Sequence, residues 1–181
     1  EQWRLPLSYR YYVYGFAYGK TASLSIEALK AADNALKSLY NFETKIHFIQ
    51  DLDVRIDCDQ VAEEKLESFV EEFDKCIHNN LDMPKAMEVV WNFVKFVNLN
   101  LLKISPNKVI EILLDFDKVL GFGFSLNNPI SQEIIELGKQ RFSLKQSQKY
   151  EEADSIRDKI EEKGYYLEEN KEYFVINRYH G

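Results

Sequence analysis

The sequence predicts a mainly α protein: an antiparallel helical bundle followed by a small α+β module of two helices and a β-hairpin. Three observations carry that expectation. Only 7 Gly and 4 Pro occur in 181 residues, too few turn punctuators for a loop-rich or all-β chain. Apolar residues are 45% of the chain and recur at three- and four-residue steps, the period of a buried helix face. Two short runs after Gly164 alternate in strand fashion.

Residues 6–19, PLSYRYYVYGFAYG, are dense in aromatics. Tyr11, Tyr14 and Tyr18 share one helical face, and Tyr9, Tyr12 and Phe16 another, although Tyr12, Tyr14, Phe16 and Tyr18 also alternate as in a strand. Pro6 suits a first helical turn and Gly19 a helix end, so the segment is read as helix. Rings at this spacing are ordinarily core; a base-stacking platform is the other reading.

Ser25 in S-I-E-A caps the next helix, with Glu27 at the positive end of its dipole. Leu29, Ala32, Leu36 and Leu39 carry it to about His47. Residues 51–59, DLDVRIDCD, read as an acidic loop, and Leu66, Phe69, Val70, Phe73 and Ile77 form one stripe of a helix over 60–79. Asp82 caps a long helix whose stripe, Ala86, Val89, Val90, Phe93, Val94 and Val97, is widened by Trp91 and Phe96. Ser105-Pro106 opens the following helix, with Val109, Ile112, Leu113, Phe116 and Leu120 inward and Gly121 as its stop.

Residues 122–128, FGFSLNN, read as a linker dividing a bundle (1–128) from a module (129–181). In the module, Ile134, Leu137 and Phe142 mark an amphipathic helix, and residues 146–149 a polar connection. Tyr150, Ala153, Ile156, Arg157 and Ile160 mark a second helix that Gly164 ends. Residues 165–167 and 172–176 alternate as strands around a polar turn at 168–171.

The charge balance, 23 basic against 30 acidic residues for a net −7, gives no general attraction to phosphate backbones. Any nucleic-acid contact must come from a local patch or from base edges. Cys58 and Cys76 lack paired spacing and read as free thiols of a reducing cytosol; with His78 they match no zinc template. No apolar run reaches the roughly 18 residues of a membrane span, and EQWRLPLSYR is not a signal peptide. The chain begins without methionine, as a fragment would. A Gly-rich phosphate loop, G-x-S-x-G and metal-ligand spacing are all missing, so nothing points to a self-contained hydrolase.

Four stretches carry a resemblance. They are PLSYRYYVYGFAYGKTASLS, EALKAADNALKSLYN, NNLDMPKAMEVVWNFVKFVN and QRFSLKQSQKYEEADSIRDKIEEKGYYLEEN. Together, colinear over nearly the whole chain, they resemble the C-terminal, tRNA-binding half of cysteinyl-tRNA synthetases. Tyr9, Arg10, Tyr11, Tyr18 and Ser25 match in the first, and Leu81, Pro84, Lys85, Ala86, Val89, Trp91, Val94 and Asn98 in the third. The last is the most specific, because A-D-x-I-R-D and G-x-x-L-E keep fixed offsets across a helix–strand junction.

The resemblance implies a cytoplasmic protein whose bundle packs along a tRNA and whose module reads the anticodon. It places the anticodon-binding positions at Lys145, Tyr150, Asp154 and Glu169, with Arg10, Arg141 and Lys149 as tRNA backbone contacts. The family usually has arginine, tryptophan, aspartate and aspartate at the first four, so Asp154 alone is identical. Its His-Tyr-Arg near the N-terminus stands here as Ala17-Tyr18-Gly19, without the contacts of that pair. HIGH-like and KMSKS-like motifs and the zinc cluster are absent from this sequence. The resemblance therefore implies no cofactor in this chain, with zinc and ATP sites in a catalytic half elsewhere. It implies a cysteine-specific tRNA and that catalytic half as partners, neither membrane nor DNA, and no cysteinylation by this chain alone.

The chemistry fits such a role. Tyr150 offers a face on which a splayed base stacks, and Asp154, four residues on, projects from the same side of the helix. The carboxylates of Asp154 and Glu169 suit the amino and imino hydrogens of guanine or the amino group of cytosine. Lys145, Lys149 and Arg141 supply a local cationic counterweight. On spacing alone, acids and Arg157 on this helix are commonly a solvated, ion-paired face, Arg157 meeting Asp154 or Glu161. The resemblance favours recognition for Asp154 above all. The rival from another class is a non-catalytic helical scaffold for protein partners, which predicts no tRNA affinity.

Overall fold

The computed structural model describes residues 4–17, 19–21, 23–51, 56–124, 130–169 and 174–178. Among them are seven helices and one antiparallel hairpin. The helices are α1 (Arg4–Tyr14), α2 (Ile26–Asp51), α3 (Gln60–His78), α4 (Met83–Leu99), α5 (Pro106–Leu120), α6 (Gln132–Gln146) and α7 (Tyr150–Glu162). Strands β1 (Tyr165–Glu169) and β2 (Phe174–Arg178) pair with Leu167 opposite Ile176. The mainly α class with a small α+β ending is as the sequence predicts.

The chain falls into two compact units, Glu1–Tyr40 with Arg55–Ser125, and Asn41–Val54 with Leu126–Gly181. Every regular element described in the first is a helix. Phe69 of α3, Phe93 of α4 and Phe116 of α5 meet in edge-to-face contacts, with centroids 5.9 Å apart for Phe69 and Phe93 and 5.4 Å for Phe93 and Phe116. Phe73 and Phe116 close to 4.5 Å. The α1 rings are tied in by their polar tips. Trp91 Nε1 donates to the Tyr11 hydroxyl at 2.8 Å, Tyr12 donates to the Ser23 carbonyl at 2.7 Å, and Tyr14 to the Leu120 carbonyl at 3.0 Å. Tyr9 stays half-exposed.

Caps explain where these helices start and stop. Ser25 accepts from the Ala28 N–H at 3.1 Å, and Asp59 from Val61 at 2.9 Å. Ser105 occupies the N-cap of α5, yet its hydroxyl makes no cap bond. Its N–H instead donates to Glu63 of α3 at 3.1 Å. Gly121 ends α5 in the left-handed region at φ 61°, where a side chain would also stand 2.5 Å from the Arg10 guanidinium. Beyond it, the Asp117 carboxylate accepts the N–H groups of Phe122, Gly123 and Phe124 at 2.6–3.1 Å.

Several expected boundaries shift. Helix α1 ends at Tyr14, before Gly19, and α2 continues past His47 to Asp51. Strand β1 runs through Glu168 and Glu169, which the sequence assigns to the turn. Residues 52–55 of the acidic loop, 125–128 of the linker, Pro129, Tyr18 and residues 170–173 lie outside the described residues.

The second unit has its own core: Phe48 from α2, Ile134 and Ile135 from α6, and Phe174 and Ile176 from β2, flanked by Leu137, Phe142, Tyr165 and Leu167. Phe48 meets Phe174 edge to face at 5.1 Å. Gly138 lets α6 approach the hairpin.

Candidate nucleic-acid interface

One face of α6 sets up the site. Positions 134, 138, 141, 142 and 145 lie at three- and four-residue steps and so share a side of the helix. The first residues along this stripe are apolar and pack under the hairpin; Arg141 and Lys145 extend it as two cations. On β1, side chains alternate, so Glu169 lies on the face that Tyr165 and Leu167 turn into the core. Glu169 opposes Phe174 in the register, which brings its carboxylate to the cationic end of the α6 stripe.

There the carboxylate takes two donors. Arg141 donates from a terminal guanidinium nitrogen to Oε1, and Lys145 Nζ stands 2.6 Å from Oε2. The Arg141 and Glu169 side chains are each 9% exposed and that of Lys145 is 41% exposed. The Arg141 Nε is buried with no hydrogen-bond partner among the described residues. Burial pushes the Arg141 guanidinium below its ordinary range and the charge of Arg157 adds to this, opposed by Asp154 and Glu161. The group still remains cationic at neutral pH.

These residues line a half-open cleft of about 360 Å³ with Arg157, Glu161, Tyr166 and Leu167. Arg157 Nε donates to Glu161 at 2.7 Å, and that carboxylate raises the Arg157 pKa further. Of the two partners that spacing allows Arg157, the structure pairs it with Glu161. Asp154 is exposed and acts on both arginines through its charge.

Helix α7 begins at Tyr150, with Lys149 at its N-cap. Glu151 and Glu152 therefore occupy the first turn, and Asp154 lies in the second. Tyr150 is 59% exposed, a ring face open to solvent. Lys149 pairs with Glu152 at 3.3 Å. Arg10 belongs to the first unit, where its guanidinium donates to the Gly121 carbonyl at the C-terminus of α5.

Among the expected site residues, then, Arg141, Lys145 and Glu169 form one ion cluster, while Tyr150, Asp154 and Lys149 share α7 and its N-cap. Sequence reasoning gave Tyr166 and Glu161 no place in a site. Tyr166 is marked only by strand alternation, and its hydroxyl accepts from Asn41 at 3.5 Å. Among the described residues no group of three His, Cys, Asp or Glu side chains could hold a metal ion. No helix among them is long and apolar enough to cross a membrane.

No protein-family model matches the chain. Comparison with curated proteins finds cysteine–tRNA ligases. The one from Chlamydia caviae is 26% identical over 168 residues, covering 90% of this chain and 35% of that protein. The ligase from Finegoldia magna is 24% identical over 166 residues, covering 89% and 35%. That from Campylobacter jejuni subsp. doylei is 25% identical over 173 residues, covering 85% and 36%. The chain spans about a third of the length of the relatives it matches. Along nearly its whole length it is similar to cysteine–tRNA ligases, with an extent of match consistent with a C-terminal part of such a synthetase.

Proposed function

We propose that this chain binds tRNA in the cytoplasm and reads the anticodon of a cysteine-specific tRNA as part of a cysteine–tRNA ligase. Residues 129–181 form the reading module and residues 1–128 the bundle that accompanies it. ATP-dependent joining of cysteine to the tRNA belongs to a catalytic part outside this chain. The observation that carries the reading is the match to cysteine–tRNA ligases over 85–90% of the sequence.

The geometry of the second unit supports it. Single-stranded loops are recognised by stacking unpaired bases and bonding their edges. Tyr150 supplies an exposed ring. Asp154 sits one turn further along α7, able to accept from a base amino or imino group. The cleft that Arg157 and Glu161 of α7 line carries both charge signs, with Lys145 reachable from solvent. In a chain of net charge −7, edge reading by carboxylates needs only this local cationic patch.

Ribonuclease footprinting of a cysteine-tRNA transcript with the full chain tests the reading. Protection concentrated in the anticodon loop, and lost in Asp154→Ala, is expected. A uniformly unprotected transcript would overturn it in favour of the protein-binding scaffold.

A further inference from the structure

The two cations on Glu169 differ in kind. Arg141 comes from the buried middle of the α6 stripe, and its side chain is 9% exposed. Lys145 lies one turn on, within the last turn of α6, and is 41% exposed. A guanidinium is a planar fork whose orientation, once packed, is fixed; an ammonium on a four-carbon stem turns through solvent at little cost. Each carboxylate oxygen has two lone-pair sites, so one bond to Arg141 leaves Glu169 with acceptor capacity on the side facing the cleft. The bond from Lys145 occupies part of that capacity.

We infer that Arg141 is a positioning residue, the fixed half of a two-cation clamp on Glu169, and that Lys145 is the exchangeable half, moving to an RNA phosphate when a base takes its place on Oε2. The inference rests on the tRNA reading above. In the free chain Lys145 holds the carboxylate's outer oxygen. With RNA bound, the phosphate offers the ammonium an equivalent anion in solvent, and Oε2 turns to a base N–H. Arg141 stays, keeping the carboxylate aimed. The carboxylate thus never lies without a cation, which in a 9%-exposed position would be costly.

The roles separate experimentally. The full chain and its Arg141→Met, Arg141→Lys and Lys145→Met variants are titrated with a cysteine-tRNA transcript and with one of altered anticodon, over a range of salt, alongside thermal melts. Arg141→Met is expected to reduce the ratio of the two affinities about tenfold, the loss of one base-edge contact. Arg141→Lys should restore part of that ratio. Lys145→Met should leave the ratio within about twofold, weaken both transcripts alike, and lower the slope of log affinity against log salt by about 0.7, one phosphate contact. An Arg141→Met chain with a lower melting temperature but an unchanged affinity ratio would overturn the positioning role, since a purely structural residue behaves that way. A Lys145→Met chain with an unchanged salt slope would overturn the exchange. If the unmodified chain shows no preference between transcripts, the anticodon reading itself fails, and the clamp with it.

Discussion

Gly138 of α6 and Phe174 of β2 touch where no side chain can stand between them. A Cβ built on Gly138 would lie 2.5 Å from the Phe174 ring and 3.2 Å from Ile176 Cδ1. The close approach holds the hairpin on α6 and so sets the distance from Glu169 to Arg141.

Gly138→Ala is therefore expected to destabilise the protein by about 1–3 kcal/mol, the usual cost of overpacking a filled core, although alanine is the better helix former. Phe48→Ala, which removes the ring that meets Phe174 edge to face, should cost about 3–5 kcal/mol. Urea denaturation monitored by circular dichroism measures both.

Asp117 makes a second local prediction. Its carboxylate satisfies three successive backbone N–H groups after α5. Asp117→Ala strands them and should cost about 1.5–3 kcal/mol, whereas the exposed Asp115, two residues earlier on the opposite side of the helix and paired only with Lys118 at the surface, should tolerate alanine. The same denaturation experiment compares the two.

The tyrosines of α1 give a pH dependence. Burial raises the phenol of Tyr11 above its ordinary 10.0, partly offset by the bond from Trp91, and burial likewise raises Tyr14. Above pH 10 the unfolded chain gives up these protons first, so the folded chain binds more of them. The stabilisation is fully present below pH 10 and is lost as pH rises through the higher folded values. Stability measured between pH 9 and 11.5 should fall, and Tyr11→Phe should make the fall shallower.

Tyr150 is exposed and should contribute to binding rather than to folding. Tyr150→Ala is expected to leave the melting temperature unchanged while weakening tRNA binding by about 1–3 kcal/mol, the worth of one stacked base. Tyr150→Trp should bind at least as tightly as the unmodified chain. Parallel melts and titrations check the pair.

The helices were legible because their signals are local. Ser25, Asp82 and Gly121 mark ends by capping chemistry within four residues, and the structure buries most of the apolar stripes of α3 to α5, leaving Val70, Ile77, Trp91 and Phe96 half-buried. The misreadings have long-range causes. Glu168 and Glu169 look like turn residues, yet they continue β1. Lys45 lies 3.8 Å from Glu168, and Arg141 and Lys145 hold Glu169. Phe48 gives no sign in the sequence that it belongs to a core with Phe174, 126 positions away by number. In the site, the i, i+4 placement of Tyr150 and Asp154 was readable from helical period. The burial of Arg141 was not, because its partner comes from a strand whose register the sequence does not specify.

The most direct test of the central claim is the affinity of this chain for a cysteine-tRNA transcript beside a transcript with a changed anticodon, by fluorescence anisotropy at two salt concentrations. Anticodon reading predicts tighter binding of the native transcript at both salts, with the preference abolished in Asp154→Ala. Equal affinity for the two transcripts, fading steeply as salt rises, would leave only backbone contact and contradict it.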